Sequence, residues 1–586
     1  RIKGMSTLLE QASLIMIPSG YKEDVVYSVI PETGAGDLSF TRASNGTRIN
    51  SAGLVEVTPW NLLDYSEDLS NGVWTKVRTT IASNDIAAPN GTTTADKLSA
   101  NATLTSSFFY IGQDSINAIV GQSYTATLYA KAGTLTQMMM YLGASNGIYW
   151  NLSNGQFISY YSGVQNITSY NSESVGNGWY KYTISINATI TTIPIESYSA
   201  KSGDLVGNYT TADNFFLWGA QLNIGSTAKP YFPTTDRLNV PRLTYQNGGG
   251  GCPSLLLEKQ STNLVTYSEQ FDNAAWLLGN VTTTANTAIS PDGTQNADTL
   301  IDNSTNDLHY CYQNVSTSAG SHTFSFYAKA NTLSHCGIRL YDGTPYDSAI
   351  FNLSNGTKGS GDGEIESVGN GWYRVSFTKI LVAGTTYFNI FLSNGTTYTY
   401  SGSNQSIYIW GAQYEASSYK TSYIPTTSAS ATRVADACSK TGISSLIGQS
   451  QGTIFVDFVW EGLGTANVDN PIFSIGEQSY GTSNIAISNY NSALYGRLTN
   501  GTSVDAGVAF GTMTIGTRYK CAIGYASNDF VFYVNGANYG NDTSVSIPAL
   551  SDAYFQNAYP NSKEVNQAIL FPTRLTNSEL ASLTTI

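Results

Sequence analysis

From Ser123 the chain reads SYTATLYAKA, and from Ser321 it reads SHTFSFYAKA; in both, apolar or aromatic residues alternate with polar ones. WYKYTISI from Trp179 and WYRVSFTK from Trp372 alternate in the same way. Period two predicts strands with one buried face, because successive side chains point to opposite sides of a sheet. The last two strings follow an octapeptide that occurs twice, ESVGNGWY over 173–180 and 366–373. Its Gly-Asn-Gly is a turn signal. The expected role is scaffold: a turn feeding a core strand, with Trp179 and Trp372 packed between two sheets. The alternative is a pair of exposed rings that stack on sugar.

The octapeptide belongs to a longer duplication. Asn61, Tyr65, Ser66, Glu67 and Trp74 match Asn263, Tyr267, Ser268, Glu269 and Trp276. PNGTTTAD from Pro89 matches PDGTQNAD from Pro291, and NLSNG recurs at Asn151 and Asn352. WGAQ recurs at Trp218 and Trp410, and YFPTT from Tyr231 becomes YIPTT from Tyr423. Spacing drifts only between motifs, so insertions fall in loops. A period of about 200 residues marks tandem globular domains rather than a solenoid. The glycine after Trp218 and Trp410, inside a strand pattern, predicts a bulge.

Beyond about Lys440 the repeat motifs stop but alternation continues, as in GTIFVDFVWEG over 452–462. DFVFYVNGANYG over 529–540 predicts a hairpin turning at Asn535-Gly536. Thr576 and Glu579 have capping-box spacing, which predicts a short final helix. The fold class is therefore all-β: tandem jelly-roll β-sandwiches plus a C-terminal sandwich. The expected divisions are an N-terminal arm over 1–57, copy one over 58–240, a linker over 241–262, copy two over 263–435 and a last domain over 436–586.

Composition agrees. The 586 residues contain only 12% charged residues but 12% aromatic ones, with 40 Tyr and 55 Gly, as packed antiparallel sheets with many turns require. Net charge is −13 and no basic stripe with interleaved aromatics occurs, which argues against nucleic-acid binding. No apolar run reaches the roughly 20 residues of a membrane-spanning helix. The nearest, LLEQASLIMI over 8–17, is broken by Glu10 and Gln11. The five cysteines (Cys252, Cys311, Cys336, Cys438 and Cys521) have no metal-ligand spacing and read as free thiols; Cys311 and Cys336 are the one pair to check.

Candidate chemistry is sparse. The three histidines, His309, His322 and His335, all lie in copy two, too few to build a triad. Glycan cleavage would need two carboxylates facing each other across a cleft. Asp457, Glu461, Asp362, Glu364 and Glu366 are candidates that the sequence cannot pair. Asn90 with Asp96, and Asp292 with Asp298, offer oxygens that suit a structural calcium; the alternative is a glycine turn with a capping aspartate. No catalytic residue, other cofactor or metal is assigned, and the chain is expected not to be an enzyme.

Several strings, taken in order, carry a resemblance: LSFTRASNGTRINSAGLVE over 38–56, PRLTYQNGGGGCPSLLLEKQSTNL over 241–264, NLVTYSEQFDNAAW over 263–276, YAKA, GWY, IWGAQ, and YIPTTSASATRVAD over 423–436. Over about 38–436 the chain resembles the head-spike and fibre-type proteins of tailed bacteriophages, which carry carbohydrate-binding-like sandwiches. Its C-terminal part resembles concanavalin A-like, laminin-G-like domains. Copy one departs from the pattern at its joint, where YFPTTDRLNVPRL lacks TRVAD. The resemblance implies a virion protein: a head fibre, spike or capsid decoration, with tail fibre as an alternative. The N-terminal arm would dock on other virion proteins, lectin-like domains would adhere to host-surface polysaccharide, and the assembly is expected to be a homotrimer. A virion-borne glycan depolymerase and a bacterial surface adhesin are the competing readings.

Overall fold

The computed structural model describes residues 8–586 except 162–165, 247, 345–346, 465–467, 478–481 and 557–559. The described elements are almost all antiparallel strands, with one capped helix at Asn577–Thr584. The chain divides into two compact units. One is formed by Pro59–Arg237 with Gly293–Asn296; the other by Arg1–Thr58, Leu238–Asp292 and Ala297–Ile586.

The Pro59–Arg237 unit is a sandwich of two six-stranded sheets. In one, Ser123–Ala132 lies between Trp179–Asn187 and Asn214–Ile224. In the other, Thr192–Ser199 lies between Tyr110–Asn117 and Gln137–Leu142. The alternation seen in the sequence sorts the side chains: Tyr124, Ala126, Leu128 and Ala130 join Tyr182, Ile184 and Ile186 in the core between the sheets. Copy two repeats the pattern. Gly320–Ala330 lies between Trp372–Leu381 and Ser406–Glu415, and Gly384–Ser393 between Tyr310–Thr317 and His335–Tyr341.

The octapeptide turns as expected, with Asn177 and Gly178 at φ 51° and 75° and Asn370 and Gly371 at 52° and 78°. Its tryptophan does not pack between the sheets. Ladder register shifts between Thr127 and Tyr129 opposite the Trp218-Gly219 step, and Gly219 takes φ 63°. This bulge turns Trp218 to the outer face, where it meets Trp179, Tyr129 and Tyr231 in a separate buried cluster. Trp372, Trp410, Tyr327 and Tyr423 repeat that cluster in copy two. All four tryptophans are buried, so none offers a ring to sugar. The scaffold role stands, on the opposite side of the sheet.

The last domain is a sandwich of an eight-stranded and a nine-stranded sheet, and it corrects two of the expected divisions. The N-terminal stretch is no separate arm. Leu14–Met16 pairs with Ser562–Phe571, and Leu38–Thr41 with Ala437–Lys440. The 241–262 stretch is no simple linker: Arg242–Thr244 pairs with Ser254–Leu257, which pairs with Ser562–Phe571. The physical reason is apolar burial. Leu14, Met16, Leu38, Phe40, Leu243, Leu255 and Leu257 share one core with Ile454, Phe458 and Trp460.

The motif-rich joints converge on a buried charge network beside this core. Arg42 meets Asp436 at 2.9 Å, Arg242 meets Glu258 at 2.6 Å and also Asp436, and Arg433 meets Glu258 at 3.1 Å. Burial pushes the Glu258 carboxyl up, but Arg433 and Arg242 outweigh it and hold the group at about 2. The strings that carried the family resemblance are thus the residues that weld the larger unit together.

Candidate functional site

The larger unit contains a solvent-open cleft of about 970 Å³. Its floor is the outer face of the eight-stranded sheet. Along Gln451–Gly462, Ile454, Val456, Phe458 and Trp460 enter the core, so Asp457, Val459 and Glu461 project the other way, into the cleft. Val459 stands opposite Arg518 on one neighbouring strand and opposite Glu564 on the other, and Leu256 stands opposite Glu564. Glu461 lies two residues beyond Val459, diagonal to Glu564. Copy two supplies further lining with Glu364, Glu366, Tyr327 and Arg374, and Tyr419 and Lys420 come from the segment after its last strand.

The charges fall into two groups. Asp457 is committed: Arg518 donates to it from Nε at 2.8 Å and from Nη2, and Asn566 Nδ2 donates at 2.9 Å. Lys420 reaches Glu364 at 3.1 Å and Glu366 at 3.6 Å. Glu461 and Glu564, by contrast, have no hydrogen-bond or ion-pair partner among the described residues. Burial, then repulsion by Glu366, pushes the Glu461 carboxyl up to about 7 despite Lys420. Burial, then Glu461, holds Glu564 well above the ordinary carboxyl range. Both carboxyls are thus biased towards the protonated form, as acids crowded into one desolvated site are. Beside them the half-exposed Arg518 adds donors to a wall suited to a ligand with many hydroxyls, while the Tyr419 ring beneath is buried.

Of the five carboxylates singled out in the sequence, the fold brings Asp457, Glu461, Glu364 and Glu366 into this cleft and leaves Asp362 exposed outside it. Glu564 and Glu258 were missed. Glu564 carried a local signal, a charge on the polar side of the alternating string KEVNQAIL; its partner strand did not.

The other candidates have structural roles. Asp96 accepts backbone N–H bonds from Leu69 and Asn84, and Asp298 from Phe271 and Asn286, at 2.8–3.0 Å. These carboxylates fasten turns, and their oxygens are spoken for, which favours the capping alternative over calcium. No cluster of three potential ligands for a metal occurs among the described residues. His309 bridges the Asn280 and Tyr400 carbonyls, and His322 contacts the Ser318 carbonyl. All five cysteines are free, four of them buried, so Cys311 and Cys336 are not bridged.

No family model matches the chain, and no curated protein matches it. Solved structures give matches. A Ruminococcus gnavus sialidase carbohydrate-binding module, bound to α2,3-sialyllactose, is 14% identical over 25% of this chain and 91% of its own, with TM-score 0.21. Mouse laminin α1 domains LG4-5 are 12% identical over 47% of this chain and 89% of their own, with TM-score 0.17. A Trypanosoma rangeli sialidase with 2,3-difluorosialic acid is 11% identical over 87% of this chain and 98% of its own, with TM-score 0.22. The chain is thus similar to carbohydrate-binding and laminin-G sandwiches. The expectation that the chain is not an enzyme is not kept, since a likeness over 87% of the chain is to a sialidase; at a TM-score of 0.22 that likeness assigns the chain no activity of its own.

Proposed function

We propose that the protein binds host-surface polysaccharide, and that it does so from the surface of a tailed-bacteriophage particle as a head fibre, spike or capsid decoration. The cleft carries the first part of this reading. Its volume suits an oligosaccharide segment, and its wall sets the Glu461 and Glu564 carboxyls beside the Arg518 guanidinium, a mixture of donors and acceptors that matches sugar hydroxyls. The ordered motifs of the joints support the second part. Homotrimeric assembly and contact with other virion proteins belong to the same proposal, with a tail fibre as the alternative place of attachment.

A second reading, cleavage of the bound glycan, is favoured by one observation: Glu461 and Glu564 both line the cleft, and burial with neighbouring carboxylates raises both carboxyls, as the general acid of a glycosidase needs. One experiment addresses both. The full chain is incubated with purified host capsular polysaccharide, and retention on the polymer and polymer length are followed together. Retention that falls about tenfold in Glu564→Gln and Arg518→Ala is expected if the cleft is the site, a loss of about 1.4 kcal/mol. Shortened polymer, abolished in Glu461→Gln, establishes cleavage. No retention by the native chain sinks the binding reading. Particles purified free of lysate and probed for the chain test its place on the virion.

A further inference from the structure

The Pro59–Arg237 unit carries an aromatic face outside its main core. The sheet containing Thr192–Ser199 buries Ile193 and Ile195 against the other sheet. Its opposite face is aromatic. Tyr110 pairs in register with Tyr198, and Tyr198 with Met139. The Tyr110 and Tyr198 rings stack at 4.5 Å and 23°, Phe108 meets Tyr198 edge-on at 5.5 Å, and Tyr141 meets Tyr198 at 6.3 Å and Tyr161 at 6.2 Å. Leu205 and Ala200 cover the part of the face over Met139 and Tyr149. Tyr110, Tyr198, Tyr141 and Phe108 remain half-buried, and Tyr161 is 42% exposed.

Polar groups are set into this platform. Gly112 stands opposite Glu196, and a Cβ there would lie 2.6 Å from Glu196 Cγ, so glycine is what lets Glu196 lie across the strand. Glu196 accepts from the Tyr198 hydroxyl at 2.9 Å, and Asp114 accepts from Thr75 Oγ1. Burial, with Asp114 nearby, raises the Glu196 carboxyl to about 7.

The duplication supplies an internal comparison. On the equivalent face of copy two, Tyr310 and Phe391 lie in register with centroids 5.1 Å apart, and Tyr312 and Tyr387 follow at 6.1 Å. Arg339 and Asn389 occupy the places of Tyr141 and Glu196. The two copies differ in charge at this face, and the ring pair they share is Tyr110–Tyr198, kept as Tyr310–Phe391. In copy two Phe391 is fully buried beneath Arg339 and beside Tyr398, whereas in copy one the Tyr110, Tyr198 and Tyr141 rings stay half-buried, as a ligand with flat apolar faces requires.

We propose that this face of copy one is a second glycan site, in which Tyr110, Tyr198, Tyr141 and Tyr161 stack on the pyranose rings of an uncharged polysaccharide while Glu196 and Asp114 accept its hydroxyls. The two carboxyl groups disfavour an anionic polymer and suit hydroxyl donors. The proposal takes from the preceding reading only that the ligand is a glycan.

The test uses the full chain with maltotetraose and cellotetraose, and with tetragalacturonate as the anionic counterpart, followed by calorimetric titration and saturation-transfer NMR. The expected result is binding of a neutral tetrasaccharide that weakens about tenfold in Tyr198→Ala and Tyr161→Ala and stays within about twofold in Tyr198→Phe, which keeps the ring. Because the Tyr161 ring is largely outside the core, its variant reports on binding even if Tyr198→Ala unfolds. Glu564→Gln separates the sites. Loss in the tyrosine variants with Glu564→Gln unaffected supports the proposal whatever becomes of the cleft. Loss in Glu564→Gln alone overturns the proposal and leaves the cleft reading standing. Binding of tetragalacturonate only, or of none of the three, also overturns it.

Discussion

Glu461 and Glu564 show how a strand pattern hides and reveals a site at once. Alternation along 452–462 makes it legible that Asp457 and Glu461 share the face away from the core. It does not make legible that Glu564, about a hundred residues later, stands on the next strand, because strand pairing is set by the whole sheet and not by local period. The pair has a consequence for stability. Both carboxyls are raised in the folded state above the ordinary 4.5. For Glu461 the stabilisation this represents is fully present below about pH 4.5 and is lost as pH rises through about 7, because the folded state must then hold a buried charge among other carboxylates. The melting temperature should therefore fall between about pH 5 and pH 8, by an amount on the order of 1–3 kcal/mol in unfolding free energy. Glu564→Gln should flatten that slope. An unchanged slope in Glu564→Gln would show that the two carboxyls titrate independently of each other.

Among the elements, the turns and hairpins were the most legible. Asn535-Gly536 turns at φ 50° and 85° as its dipeptide predicts, and Thr576 and Glu579 form the full capping box. The bulge after each WGAQ tryptophan was legible too, but its effect on facing was not. A bulge adds one residue to one strand, so it inverts inside and outside for what precedes it. That is why Trp218 and Trp410 lie outside the sandwich core, each paired with a tyrosine at 5.2 Å. The glycine is required twice over. Gly411 has φ 61°, and a Cβ there would lie 2.9 Å from the Tyr327 ring. Gly411→Ala should cost about 1–3 kcal/mol through backbone strain and displacement of that ring, and Gly219→Ala should behave alike against Tyr129. Urea unfolding of the two variants is the measurement. A cost below about 0.5 kcal/mol would mean that the ring moves aside freely.

On the scale of the molecule, the division of the chain was the least legible feature, for a physical reason. A tandem repeat announces its own boundaries, but a strand donated from elsewhere looks like a short apolar stretch in a linker. Leu255 and Leu257 read as part of a joint and are core residues of the last sandwich. The charge network fixes this arrangement. Asp436 accepts from Arg42, Arg242 and the Glu258 backbone N–H. Asp436→Asn leaves two buried guanidinium groups short of a counter-charge, which should cost about 3–5 kcal/mol. Glu258, held at about 2, adds stability that is present above pH 4.5 and is lost as pH falls towards 2.

The same connectivity decides which fragments can fold. A chain cut to 436–586 retains the strands that its own sequence displays, but it loses Leu14–Met16, Leu38–Thr41, Arg242–Thr244 and Ser254–Leu257 from its two sheets. Ser562–Phe571 would then lose two of its partners, and the core would open where Leu14, Phe40, Leu243 and Leu257 had closed it. The exposed edges invite pairing with other chains. We therefore expect fragment 436–586 to be aggregated or protease-sensitive. Deleting 1–57 from the full chain should likewise expose the last sandwich to protease, while 59–237, which has its own core, should persist as a resistant fragment. Limited proteolysis with mass spectrometry reads both outcomes. A soluble, resistant 436–586 fragment would show that the donated strands are dispensable and that the last sandwich is independent after all.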